Sequence, residues 1–143
     1  MVDWDDSILV GIPTVDNDHK AILYHINRFI DVVGSRSGIG TIHQSFRNME
    51  ACIHRHLAAE ERMLSIVGFE ETERHVMVHQ KLAAELDEIW DDMLADRNFR
   101  PDDAARKWLE EWLFGHVKAE DFCYRDWIFD AGLEVKAEEA MKN

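Results

Sequence analysis

The sequence predicts an all-α protein, an up-down-up-down four-helix bundle with an N-terminal arm and a short C-terminal extension. Three observations carry this. Apolar residues recur at alternating spacings of three and four through most of the chain, as on the buried face of an amphipathic helix. Neither β-strand alternation nor an internal repeat is evident. Only two prolines occur, and both fall where helices should begin or connect. Four such helices on short loops pack most economically as an up-down-up-down bundle.

Residues 1–15, through Gly11-Ile12-Pro13, read as an extended arm that packs Trp4, Ile8, Leu9 and Val10 onto the rest. The first helix is expected from Asp16 to Val33, with Asp16 or Asn17 as N-cap. Its stripe is Ile22, Ile26, Phe29 and Val33, with Leu23 and Ile30 beside it. Glycines at 34, 38 and 40 then break the chain. Thr41 is expected to cap a second helix reaching Val67. Phe46, Met49, Ile53, Leu57, Met63, Leu64 and Val67 form its inner face, and Gly68 is a C-terminal stop. A third helix is expected from Glu70 to Ala95, with Leu82, Leu86, Ile89 and Met93 inward. Asp96 to Arg100 read as a polar loop. Pro101 suits the start of the fourth helix, and Asp102 and Asp103 favour its positive end. That helix carries Trp108, Trp112 and Val117. From about Asp130 the chain is charged with scattered apolar residues, which fits a short docked helix or a frayed end. The 143 residues thus read as one domain: arm 1–15, bundle about 16–130, tail 131–143.

Composition narrows the function. A net charge of −13 argues against nucleic acid or an anionic membrane as partner, since both need a basic surface. No run of about 18 apolar residues exists to span a membrane. The N-terminus, Met1-Val-Asp-Trp-Asp-Asp6, is acidic where a signal peptide is basic. Cys52 and Cys123 are too few for a disulfide framework. The expected location is cytoplasmic.

The eight histidines sort by helical geometry. A helix turns about 100° per residue. His19 lies on the stripe of Ile22 and Ile26, and His56 on that of Ile53 and Met63. His75 and His79 lead into Leu82 and Leu86, and His116 follows Trp112 by four. These five point inward, joined by Glu60 and Asp121. His25, His43 and His54 fall off the stripes and read as surface histidines. One inward histidine is most simply a satisfied core residue. Seven such polar groups are not: at roughly 1–3 kcal/mol each unpaired, they would cost on the order of 10 kcal/mol, comparable to the stability of a whole domain. A cation resolves the cost, so His19, His56, Glu60, His75, His79, His116 and Asp121 are the candidate metal ligands.

Seven ligands exceed the four of tetrahedral zinc and suit two octahedral ions. Two octahedra offer twelve positions. Five imidazoles, two bridging carboxylates and one bridging oxide or hydroxide fill eleven, leaving one for a small diatomic ligand. Mixed imidazole and carboxylate ligation that handles dioxygen favours iron. Carboxylate-rich di-iron oxygenases use Glu-x-x-His pairs, and none occurs here. A nitrogen-rich site leaves the ferric pair less stabilised, which favours reversible binding.

These motifs resemble the hemerythrins, in particular the single-domain bacterial kind. The likeness rests on Gly11-Ile12-Pro13-Thr14-Val15-Asp16-Asn17-Asp18-His19-Lys20, on His56-Leu57-Ala58-Ala59-Glu60-Glu61, on His75-x-x-x-His79, and on Trp112-Leu113-x-x-His116-Val117-x-x-x-Asp121. It covers residues 1 to about 130, with every ligand position matched. A relative, myohemerythrin, is a standard example of the four-helix bundle. The resemblance implies that His75, His79 and His116 hold one iron of an oxo- or hydroxo-bridged pair. His19 and His56 would hold the other, which keeps the vacancy for dioxygen, and Glu60 and Asp121 would bridge. The implied activity is reversible dioxygen binding for storage, delivery or sensing, without catalysis. A sensing role would need a protein partner not identifiable from the sequence. The alternatives are a di-iron enzyme acting on peroxide or nitric oxide, and an iron- or redox-responsive regulatory module.

His116 and Asp121 are five residues apart, which a regular helix separates by about 140°. This predicts a π-type widening or other distortion near Lys118 to Glu120. Glu61 reads as a solvated flank residue, and the cysteines as plain small core residues rather than a redox pair. Trp112 is placed to stack on His116 or to wall the dioxygen pocket, which Met63 and Leu64 could also line.

Overall fold

The computed structural model describes residues 2–96 and 103–142. The chain is all-α, with no strand among the described residues. Its helices are α1 (Pro13–Gly34), α2 (Ile39–Val67), α3 (Thr72–Ala95), α4 (Asp103–His116), α5 (Phe122–Asp130) and α6 (Glu134–Lys142), with a five-residue π turn, Val117–Asp121, between α4 and α5. No helix of the described residues is long and apolar enough to cross a membrane.

The arm is ordered by α1. A one-turn 3₁₀ helix, Asp6–Ile8, buries Ile8, and Val10 and Ile12 are buried after it. Leu9, expected inward, is 38% exposed because alternate residues of an extended segment face opposite ways. Helix α1 starts at Pro13, three residues before the expected Asp16. Proline suits a first turn because its φ is already helical and its missing N–H would be unpaired there anyway. Asp16 is therefore not the N-cap. From inside the first turn its carboxylate accepts the amide protons of Val10 and Gly11, at 2.7 and 3.0 Å. Gly11 has φ +86°, and a Cβ there would lie 3.1 Å from the Phe129 ring. Two reasons thus require glycine.

Helix α2 begins at Ile39, with Gly38 rather than Thr41 as its cap residue. It ends at Gly68 in the left-handed region (φ 75°), and the Phe69 N–H reaches back to the Leu64 carbonyl at 3.0 Å. Helix α3 starts at Thr72, two residues later than expected, after Thr72 Oγ1 donates to the Phe69 carbonyl at 2.7 Å. Beyond Asp96, the expected polar loop and the roles of Pro101 and Asp102 lie outside the described residues.

The apolar stripes meet as expected. Ile22, Ile26 and Phe29 of α1 pack with Ile42, Phe46, Met49 and Ile53 of α2, all essentially solvent-free. In α1, Val32 is buried and Val33 is half-buried, the reverse emphasis from the expected stripe. In α3, Leu86 and Met93 are buried while Leu82 and Ile89 are half-buried. The tail is a docked helix. Ala137, Ala140 and Met141 of α6 are buried, and the helix packs against α2 and α1. Glu138 accepts hydrogen bonds from both the N–H and the Oγ1 of Thr14, which caps the first turn of α1.

Candidate metal centre

Four helices and the π turn deliver the seven polar side chains singled out by their spacing. α1 supplies His19, α2 supplies His56 and Glu60, and α3 supplies His75 and His79. His116 closes α4, and Asp121 closes the π turn. All converge on one place, with Glu60 and Asp121 fully buried and every imidazole nearly so. The widening expected between His116 and Asp121 is present. The Phe122 N–H bonds the Val117 carbonyl, five residues back, so the turn absorbs the extra residue and returns Asp121 to the face of His116.

The two carboxylates divide the histidines into two groups. Glu60 Oε1 lies 2.6 Å from His75 Nε2 and 3.1 Å from His79 Nε2, while Oε2 lies 3.1 Å from His56 Nε2. Asp121 Oδ1 lies 3.3 Å from His75 Nε2 and 3.2 Å from His116 Nε2, while Oδ2 lies 3.3 Å from His19 Nε2. Each carboxylate thus turns one oxygen to two histidines of the group His75, His79 and His116, and the other to one histidine of the pair His19 and His56. The five imidazoles present the same nitrogen, Nε2, to the centre.

The electrostatics of the centre suit positive charge. Burial alone would push the His56 imidazole down, but its bonds to Asp18 and Glu60 prevail and raise it to about 10. Burial opposes His75 in the same way, and Asp121 and Glu60 raise it to about 10. His116 is raised by Asp121 against the same opposition. Burial would raise the Glu60 carboxyl, yet the surrounding imidazoles hold it well below the usual carboxylate range, and Asp121 is lowered likewise. Protons here do the work of positive charge. They do it incompletely: His79 Nε2, His116 Nε2 and both Asp121 oxygens are buried without a well-formed hydrogen bond. Two sets place one ligand atom per residue within 4.8 Å of one another, Glu60 with His75, His79 and His116, and His19 with His56 and Glu60. Orphaned nitrogen and oxygen atoms aimed at a common centre fit metal ions of imidazole and carboxylate affinity.

Four further residues touch the site. The Tyr124 hydroxyl, fully buried, donates to Glu60 Oε2 at 3.0 Å. Burial and the two carboxylates hold that phenol well above its ordinary value, so it remains a donor. It sits three residues after Asp121, one helical turn along, and that spacing could have revealed it. Asp18 Oδ2 lies 2.9 Å from His56 Nδ1. Glu61, expected to be a solvated flank residue, instead turns Oε2 to His79 Nδ1 at 3.4 Å. Trp112 stacks on His116 with rings 6.0 Å apart and 12° from parallel. The remaining histidines differ in part from expectation. His54 is exposed, but His25 is half-buried and His43 is half-buried edge-on to Trp90. Cys52 is buried as a small core residue, whereas Cys123 is exposed.

Comparison with known proteins points the same way as the geometry. A family model described as the hemerythrin HHE cation binding domain matches residues 10–128. The chain is similar to a bacteriohemerythrin of Pseudomonas aeruginosa, 25% identical over 86% of this chain and 78% of that protein. It is similar to the myohemerythrin of Riftia pachyptila, 24% identical over 85% of this chain and 89% of that one. A hemerythrin-like protein of Naegleria gruberi is 25% identical over the same shares.

Proposed function

We infer that this chain, which belongs to the hemerythrin family, binds dioxygen reversibly at a pair of non-haem iron ions. On this reading His75, His79 and His116 hold one iron, His19 and His56 hold the other, and Glu60 and Asp121 bridge them. The observation that carries it is the division of both carboxylates between the two histidine groups. A site for one ion would gather both oxygens of a carboxylate, or only one, on a single centre. When bound, the iron pair supplies the electrons for reversible capture of dioxygen.

The chain's own part is to hold, exclude and restrain. Four helices and the π turn fix the ligands, and their buried surroundings keep water from the site. Tyr124 holds its proton on Glu60 rather than releasing it. Trp112 braces His116. The unequal histidine count would leave an iron held by His19 and His56 with fewer protein ligands, and so with room for dioxygen. We read the helices as an up-down-up-down bundle forming one domain, and the protein as a cytoplasmic oxygen carrier or sensor rather than an enzyme. The likeness to a bacteriohemerythrin and a myohemerythrin supports the family membership on which this reading rests.

The test is optical. The protein is loaded with ferrous iron without air, exposed to air, then returned to argon. A visible charge-transfer band that rises and falls with oxygen, at two irons per chain, is the expected result. One-way oxidation with turnover of peroxide or nitric oxide would instead indicate an enzyme. One zinc per chain would overturn both.

A further inference from the structure

Two acidic residues that are not among the seven candidate ligands sit behind two of the imidazoles. Asp18, beside His19 in the sequence, faces Nδ1 of His56 at 2.9 Å. Glu61, beside Glu60, faces Nδ1 of His79 at 3.4 Å. The inner nitrogens of these imidazoles each lie 3.1 Å from an oxygen of Glu60, one on each side of it. A continuous line results: Asp18, His56, Glu60, His79, Glu61. It crosses the centre from one partly exposed carboxylate (35%) to another (30%). Nδ1 of both His19 and His79 is buried without a well-formed hydrogen bond, but only that of His79 has a carboxylate oxygen facing it, Glu61 Oε2 at 3.4 Å. Each histidine group thus has one imidazole backed by an acid.

Taking the iron reading above as its basis, we propose that Asp18 and Glu61 are positioning residues, one for each metal. Asp18 accepts the Nδ1 proton of His56, and Glu61 stands where a small approach would let it accept that of His79. That fixes the tautomer with the Nε2 lone pair turned to the centre and makes the imidazole a stronger donor. A carboxylate behind a ligand favours the more highly charged, oxidised ion. The two acids therefore tune the ease of oxidation of the two irons separately, Asp18 at the dioxygen side and Glu61 at the other. Their partial exposure leaves the site's buried carboxylates at two while adding negative charge at the rim.

The experiment uses Asp18→Asn and Glu61→Gln, which keep shape and a hydrogen-bond acceptor but remove the charge. Ferrous uptake is measured anaerobically against a competing chelator, reduction potentials by spectroelectrochemistry, and each iron by Mössbauer spectroscopy of the ⁵⁷Fe-loaded protein. Each neutral variant should weaken one of the two ferrous ions roughly 10- to 100-fold, the usual cost of losing such a partner. Each should also raise the potential and alter the signal of one iron, with the two variants altering different irons. Asp18→Glu and Glu61→Asp should restore much of both, which a purely structural role would not require. Asp126→Asn, at a 67%-exposed carboxylate paired with neighbouring Arg125, is the control and should match wild type. Wild-type and variant proteins alike in affinity, potential and spectrum would overturn the inference, and an effect in one variant alone would overturn the paired assignment. A wild-type protein that takes up no iron pair would instead fail the iron reading itself.

Discussion

Loading the metal-free protein with ferrous iron should expel protons in a number fixed by the site. In the metal-free chain two carboxylates are balanced by imidazoles that hold protons far above their usual range. His56 and His75 each titrate at about 10. At pH 8 such a group is about 99% protonated, whereas an ordinary imidazole at 6.5 is about 3% protonated. A metal ion needs the neutral nitrogen, so both protons must leave. The expected release is about two protons per chain from the imidazoles, with one more where a hydroxide bridges the irons. Two unperturbed histidines would give less than about 0.1.

The assay adds anaerobic ferrous salt to weakly buffered metal-free protein at pH 8 and reads a pH-indicator dye calibrated with standard acid. The displaced protons also set the affinity. Between about pH 7 and 9 the overall constant for the ion pair should rise roughly 100-fold per pH unit from the two imidazole protons alone, and more steeply where a hydroxide bridges the irons. Release of fewer than one proton per two ferrous ions would refute the reasoning. It would mean that Glu60 and Asp121 are not balanced by imidazolium, and that the short contacts of His56 and His75 are hydrogen bonds from neutral rings.

The same protons make the metal-free fold depend on pH. His56 and His75 bind protons more tightly folded than unfolded, so their stabilisation is complete below about pH 6.5 and is lost as pH rises through about 10. Thermal melts should fall across that window without metal and much less with it; equal slopes would count against the pairing. The lowered Glu60 and Asp121 act oppositely, their contribution fading as pH falls below the ordinary carboxylate range. Tyr124→Phe keeps the ring but removes the proton donated to Glu60, and should cost about 1 kcal/mol in denaturant unfolding of the metal-free protein. No loss there would show that the hydroxyl is not needed. Deleting exposed Ala119 should convert the π turn to regular helix and leave His116 and Asp121 four apart on one face, so two-metal binding should survive. The same operation at exposed Ala58 in regular α2 swings all that follows by about 100° and should abolish binding. Isothermal titration distinguishes the two, and loss of binding in both would refute the insertion view of the turn.

The convergence of seven side chains was legible because their spacing repeats that of the core. His19 with Ile22 and Ile26, or His56 with Ile53 and Met63, share one helical face, and a face that buries isoleucine must bury its histidine. Asp18 and Glu61 were not legible for the converse reason. Each lies next to a ligand, about 100° off the stripe, where an acid normally meets solvent. Their partners sit on other helices, so only the packing of α1 on α2 and of α2 on α3 discloses them. Asp16 misled in the same way. As the first acid before a helical stripe it resembles an N-cap, yet the amides it satisfies belong to the arm folding back over α1. Pro13 carried the truer signal of where that helix begins.

The spacing of five between His116 and Asp121 was informative because it conflicted with its surroundings. Trp112 and His116 set the inward face of their helix, and a regular continuation would carry Asp121 about 140° away from it. Either the aspartate is solvated or the backbone yields. Asp121 is fully buried beside His19, His75 and His116, and the backbone does yield, in the five-residue π turn that ends at Asp121. A local departure from helical geometry is therefore the consequence of a tertiary demand, the delivery of a second carboxylate opposite Glu60. Had the residue count been four, no π turn would be needed. The irregularity thus carries the extra residue and need not be a source of strain for the site, which is why its removal at Ala119 separates the two ideas.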